Sequence, residues 1–127
     1  MTAIDPKSGD RINSVPLDLD DALEALNNHR RRFAIRWTDE TEIPVDADAL
    51  ARHLAAIENT GQLDAQDRKR VYIALTQHHL PILDDLGAVA YDDRSKTVMP
   101  SPATRKLAML IRLLEALCRE SIPESET

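Results

Sequence analysis

The chain has 127 residues, a length that fits one domain and leaves room for a hydrophobic core. Hydrophobic residues make up 43% and charged residues 30%, a globular rather than disordered balance, and with one Phe, one Trp and two Tyr the core must be built from Leu, Ile, Val and Ala, which favours helices. A formal net charge of −6 argues against an ordinary nucleic-acid binder, and no apolar run approaches the ~20 residues of a membrane-spanning helix.

The kinds of charge qualify that exclusion. Fourteen Asp stand against eight Glu, and twelve Arg against four Lys. An Asp-rich, Lys-poor surface suits a protein that must stay hydrated in concentrated salt. At about 1 M salt the screening length is only ~3 Å, so net charge stops mattering beyond direct contact. A halophilic DNA binder can therefore be acidic overall; a plain acidic protein of ordinary salinity is the other reading. The single cysteine, Cys118, allows no internal disulfide, and Met1 to Val15 lacks the apolar centre of a signal peptide. Both point to the cytoplasm.

Residues 1–16, rich in Pro, Gly, Asp and Ser, read as a flexible arm. A first helix starts near Asp18–Asp20, with Leu19, Ala22, Leu23 and Leu26 as its apolar stripe. Asn27-Asn28 breaks it and caps a second helix, 29–37, that buries Phe33, Ala34 and Trp37. The triplet Arg30-Arg31-Arg32 on that helix is either a solvated face or a phosphate-facing edge. Glu42-Ile43-Pro44-Val45 reads as an edge strand. Asp46 or Asp48 caps a third helix with Leu50, Leu54 and Ile57 inward and His53 at its boundary.

Asp64 caps the central helix. On an ideal wheel Tyr72, Ile73, Leu75, Thr76, His79, Leu80, Ile82, Leu83 and Leu86 share its apolar arc. Arg70, Ala74, Gln77, His78 and Pro81 fall opposite, with Asp67 and Asp85. Pro81 removes the backbone bond to the Gln77 carbonyl, so a kink is expected there, and Gly87 supplies a left-handed stop. Runs 88–92 and 96–99 form a hairpin around Asp93-Arg94-Ser95, with Val89 and Val98 inward. Ser101 and Pro102 open a last helix to about Glu120. Its stripe of Leu107, Leu110, Ile111, Leu114 and Leu117 is wider than one docking surface needs, which predicts a homodimer built on this helix; the rival reading is that the stripe caps the protomer core against Leu19, Leu23 and Leu26.

The order of helix, helix, short strand, helix, helix and hairpin is that of a winged helix. Ala25-Leu26-Asn27-Asn28-His29-Arg30-Arg31-Arg32 and His78-His79-Leu80-Pro81-Ile82-Leu83-Asp84-Asp85-Leu86-Gly87-Ala88-Val89 resemble segments of arsenical-resistance-type repressors. The strings from Arg68 to Leu75, His79-Leu80-Pro81 and Gly87 to Asp92 resemble more closely a family of haloarchaeal winged-helix domains of unassigned function. The resemblance spans roughly residues 18–100. It implies a mainly α fold with a small β-hairpin wing, a winged helix-turn-helix carrying an additional C-terminal helix. The partition is then an arm (1–16), a winged-helix domain (17–100), a dimerisation helix (101–121) and a disordered tail (122–127).

The resemblance implies a DNA-binding transcriptional regulator, commonly a dimer. Double-stranded DNA would meet Arg68, Lys69, Arg70, Ala74, Gln77 and His78 on the helix and Arg94 and Lys96 on the wing. The cysteine pair and C-terminal Asp/His set of metal-sensing repressors are absent, so no effector metal is carried over. Adjacent His78 and His79 point about 100° apart and share a metal poorly. No nucleophile motif, phosphate loop or zinc spacing is present, so no enzyme, cofactor or small-molecule substrate is expected. The alternative is a protein-interaction adaptor that keeps the fold without DNA binding.

Overall fold

Asp18 opens the first helix, α1 (Leu19–Leu26), by accepting the Asp21 backbone N–H at 2.8 Å. The computed structural model describes residues 17–41, 43–59 and 64–121, with side chains to Cys118. The expected arm and tail lie outside the described residues. In α1 half of the expected stripe holds: Leu26 is buried and Ala22 half-buried, whereas Leu19 is 72% and Leu23 55% exposed and Ala25 is buried instead. The short helix rests on the domain through its last turn.

Helix α2 (His29–Thr41) is one turn longer than the sequence suggested. The Asn28 side chain accepts the Arg30 and Arg31 N–H groups at 2.9 and 3.3 Å, a helix start as expected. Its inner face is Ala34, Ile35 and Thr38, all fully buried. Phe33 and Trp37 are half-buried instead, stacked at 5.5 Å, and Trp37 lies 4.4 Å from the His53 ring. The hydroxyl of Thr38 has no hydrogen-bond partner among the described residues.

Strand β1 (Val45–Asp46) leads into α3 (Ala47–Glu58), whose cap is Asp46, accepting the Ala49 N–H at 3.3 Å. Leu50 and Leu54 are buried as expected; Ile57 is 59% exposed, a departure from the expected stripe. The next helical stretch is a continuous rod in three parts: α4 (Ala65–Ala74), a widened π-helical turn (Leu75–His79) and α5 (Leu80–Leu86). It ends at Gly87 with φ 85°, a left-handed conformation open to glycine at little cost.

Strands β2 (Val89–Asp92) and β3 (Thr97–Pro100) form the hairpin, and β1 adds to the far side of β3 to give an antiparallel sheet in the order β1-β3-β2. Val45 pairs with Val98 and Val98 with Tyr91, so Val45, Val89 and Val98 face the core. The last helix, α6 (Thr104–Ser121), is locked to the hairpin by two hydroxyls. Ser101 Oγ donates to the Gly87 carbonyl and Thr104 Oγ1 to that of Ala88, both at 2.7 Å. The protein is thus mainly helical with a small sheet: α2, β1, α3, the α4–α5 rod and the hairpin make a winged helix-turn-helix, with α1 before it and α6 after it. Among the described residues no helix is long and apolar enough to cross a membrane.

Candidate nucleic-acid interface

The α4–α5 rod begins with a capping box: Asp64 accepts the Asp67 N–H at 2.8 Å, and Asp67 reaches back to the Asp64 N–H at 3.4 Å. One turn on, Arg68, Lys69 and Arg70 are exposed. The Arg68 and Lys69 side chains have no partner among the described residues, whereas the Arg70 guanidinium lies 3.1 Å from Asp67. Asp67 therefore steadies Arg70 and partly neutralises it.

Proline at 81 offers no N–H to the Gln77 carbonyl and would crowd it. The chain adapts with a wider turn just before the proline: the Leu80 N–H donates to the Leu75 carbonyl, five residues back. In and beside this turn Leu75, Thr76, His79 and Leu80 are buried, as the ideal wheel had them; the wheel fails one turn earlier, where Val71 is inside (3% exposed) and Ile73 outside (42%). Gln77 and His78 remain exposed, as the wheel had them, and Ala74 is half-buried.

His79 is buried, and its Nδ1 faces the Arg31 Nε–H at 3.4 Å. Burial, aided by the nearby His78, Arg31, Arg30 and His29, lowers its pKa to about 4, so the ring is neutral near pH 7. The triplet that carries Arg31 is used internally throughout. Arg30 grips Glu58 through two bonds of 2.7 and 2.9 Å, and His29 reaches the same carboxylate at 2.7 Å. Arg30, then burial opposing it, then His29 set the Glu58 pKa, and the net direction is down. Arg31 donates to the Glu24 carbonyl at 2.7 Å and Arg32 to that of Leu26 at 2.6 Å, so both cap the end of α1. The phosphate-facing reading of Arg30-Arg31-Arg32 is thereby replaced by a structural one.

On the hairpin, Arg94 is exposed and its guanidinium has no partner among the described residues. Lys96 differs. Its φ is 57°, its carbonyl accepts the Ala47 N–H at 2.9 Å, and its Nζ lies 2.8 Å from Asp93. The hydrogen bond to Lys96 lowers the Asp93 pKa, and the same bond raises that of Lys96. Between the helix and the hairpin runs an open groove of about 720 Å³, walled by Tyr72, Thr76, Gln77, Pro81 and Tyr91 and lined with Asp84, Asp85 and Asp93 beside Lys96. Asp84 also accepts the Tyr91 N–H at 3.1 Å, which ties helix to wing. The groove was missed from the sequence, although Asp84-Asp85 near the end of the rod and Asp92-Asp93 at the hairpin turn were legible there as acidic pairs. No group of three or more metal-ligating side chains occurs among the described residues.

The residues expected at a dimer contact separate into two sets. Leu107 and Ile111 are buried in the protomer core at 3% and 1% exposure, which corrects their assignment to an interface. Leu110, Leu114 and Leu117 are exposed.

A family profile for a domain of unknown function, DUF7344, matches residues 23–99, more than half of the chain. The chain belongs to this family. The matched segment runs from within α1 into β3 and so contains the whole rod and all but the last residue of the hairpin, while α6 lies beyond it. The match carries no assigned activity and no link to arsenical-resistance repressors. No curated protein matches the chain. No solved structure does either.

Proposed function

We propose that the chain is a DNA-binding transcriptional regulator of winged-helix type, akin to arsenical-resistance-type repressors and working in a high-salt cytoplasm. The observation that carries this reading is the pair Arg68 and Lys69. Among the described residues their side chains have no partner, and they stand in the first turns of the rod of a winged helix-turn-helix, where the helix dipole also favours phosphate. Arg70, steadied by Asp67, with Gln77 and His78 beyond half-buried Ala74, would face base edges in the major groove. Arg94 would follow the neighbouring backbone from the wing. Lys96, held by Asp93, would do so only by giving up that pair. Selection of bound fragments from genomic DNA at molar salt tests the reading: the unaltered chain should enrich a sequence, and an Arg68→Ala/Lys69→Ala chain should not.

A second reading has its own observation. Asp84, Asp85 and Asp93 line the groove where a wing and helix would otherwise meet phosphate, and carboxylates there repel it. That favours a protein-interaction adaptor. Failure to enrich any DNA sequence, with the fold intact, would select it.

A further inference from the structure

Val71 docks α4 on the core and is 3% exposed. Two further residues at about 100° each carry Ile73 to nearly the opposite side of the helix, where it is 42% exposed. The other Leu, Ile and Val side chains of the rod are buried or half-buried, so Ile73 is its one aliphatic side chain left in solvent. Its neighbours there are polar. Arg70 and Ala74 share its face of α4, and Gln77 continues that face, exposed, on the widened turn. From Arg70 to Gln77 the sequence holds no carboxylate, and half-buried Ala74 is short enough to let the backbone come close to a partner.

We propose that Ile73 is a specificity-determining residue that seats on the C5-methyl group of a thymine in the major groove, with Arg70 on a guanine to one side and Gln77 on an adenine to the other. Resting on the DNA-binding reading above, this assignment names the class of sequence bound. Thymine is the base that presents a methyl group in the major groove, and an aliphatic side chain is what recognises it. Arginine suits the paired acceptors of guanine, and glutamine the donor and acceptor of adenine. From Arg70 to Gln77 the rod rises about 10 Å, or about three base-pair steps, so the three bases fall within about four base pairs. Concentrated salt gives the apolar contact its value. Phosphate contacts weaken as salt rises, and at about 1 M charges are screened within ~3 Å. Contact between Ile73 and a methyl group carries no charge and keeps its strength. A chain of net charge −6 beside an acidic groove can thereby hold a sequence preference without further cations.

The test takes the full chain and the DNA sequence it enriches at molar salt, and replaces each thymine in turn by deoxyuridine, which lacks only the methyl group. One thymine, within about three base pairs of a guanine whose preference Arg70→Ala relaxes, should lose roughly fourfold in affinity, the worth of one buried methyl group. The Ile73→Ala chain should bind thymine and deoxyuridine equally at that position, while Ile73→Val keeps most of the preference. If Ile73→Ala loses its cooperative melt, Ile73→Gln, polar at an exposed position, takes its place in the comparison. An enriched sequence whose thymines can all be replaced without loss overturns the assignment and leaves the DNA-binding reading standing. A methyl preference that survives the change of Ile73, or that disappears at molar salt, also overturns the assignment alone. No enriched sequence at all overturns the DNA-binding reading and the assignment with it.

Discussion

Two basic triplets stand near the starts of two helices, Arg30-Arg31-Arg32 on α2 and Arg68-Lys69-Arg70 on α4, and the fold treats them oppositely. The first is drawn inward by what surrounds it. Glu58 takes Arg30, and the carbonyls of Glu24 and Leu26 at the end of α1 take Arg31 and Arg32. Among the described residues the second has only Asp67 within reach, and that carboxylate serves Arg70 alone. A basic run becomes a recognition surface only where the fold leaves it without acceptors. Of the acceptors that decide this, Glu58 is brought up by tertiary packing, whereas the Glu24 and Leu26 carbonyls belong to the helix just before the triplet.

Acid should expose the contrast most strongly. His79 faces Arg31, and its folded pKa of about 4 lies below the ordinary 6.5. The unfolded chain binds that proton first, so the stability is complete above pH 6.5 and is lost as pH falls toward 4. The loss is at most about 3 kcal/mol. Denaturant melts at pH 7 and pH 5 should differ accordingly, and His79→Asn, which keeps an acceptor for Arg31, should flatten the difference. Glu58 adds a loss only below its own ordinary value of 4.5.

Substitution within the first triplet comes next. Arg30→Ala removes two charged hydrogen bonds from half-buried Glu58 and should lower stability by about 1.5–3 kcal/mol in the same melts. On the inner side of the same helix, Thr38→Val removes a buried hydroxyl without a partner and should raise stability by about 1 kcal/mol. The smallest stability effect belongs to the second triplet: Arg68→Ala should stay within about 0.5 kcal/mol of the unaltered chain. A loss as large as that of Arg30→Ala would erase the distinction between the triplets.

Much of the fold was legible because its signals are local. Asp18, Asn28, Asp46 and Asp64 cap helices by reaching their own next turn, and Gly87 stops the rod because φ 85° suits it. Val89 and Val98 follow strand alternation inward. What escaped depended on distant geometry. On the rod the wheel put Ile73 inward and left Val71 unplaced, whereas Val71 is buried and Ile73 exposed. In α1 and α3 apolar spacing alone could not tell that Leu19, Leu23 and Ile57 meet no core. The stripe on α6 was visible, but which leucines face α2 was not: Leu107 and Leu110 both lie on it and have opposite fates. Of the candidate interface, the exposed Arg68, Lys69, Gln77 and His78 were legible, while the acidic groove required the hairpin to fold back beside Asp84.

The most direct test is DNA affinity across a salt series for three folded chains: the unaltered protein, Arg68→Ala/Lys69→Ala and Arg32→Ala. If Arg68 and Lys69 touch phosphate, the double change should weaken binding to all sequences alike and reduce the salt slope by about 1 for each contact. Arg32→Ala should leave that slope unchanged, because its guanidinium caps α1. A slope unaffected by the Arg68/Lys69 change, or reduced equally by Arg32→Ala, would contradict the assignment of the second triplet as the nucleic-acid surface.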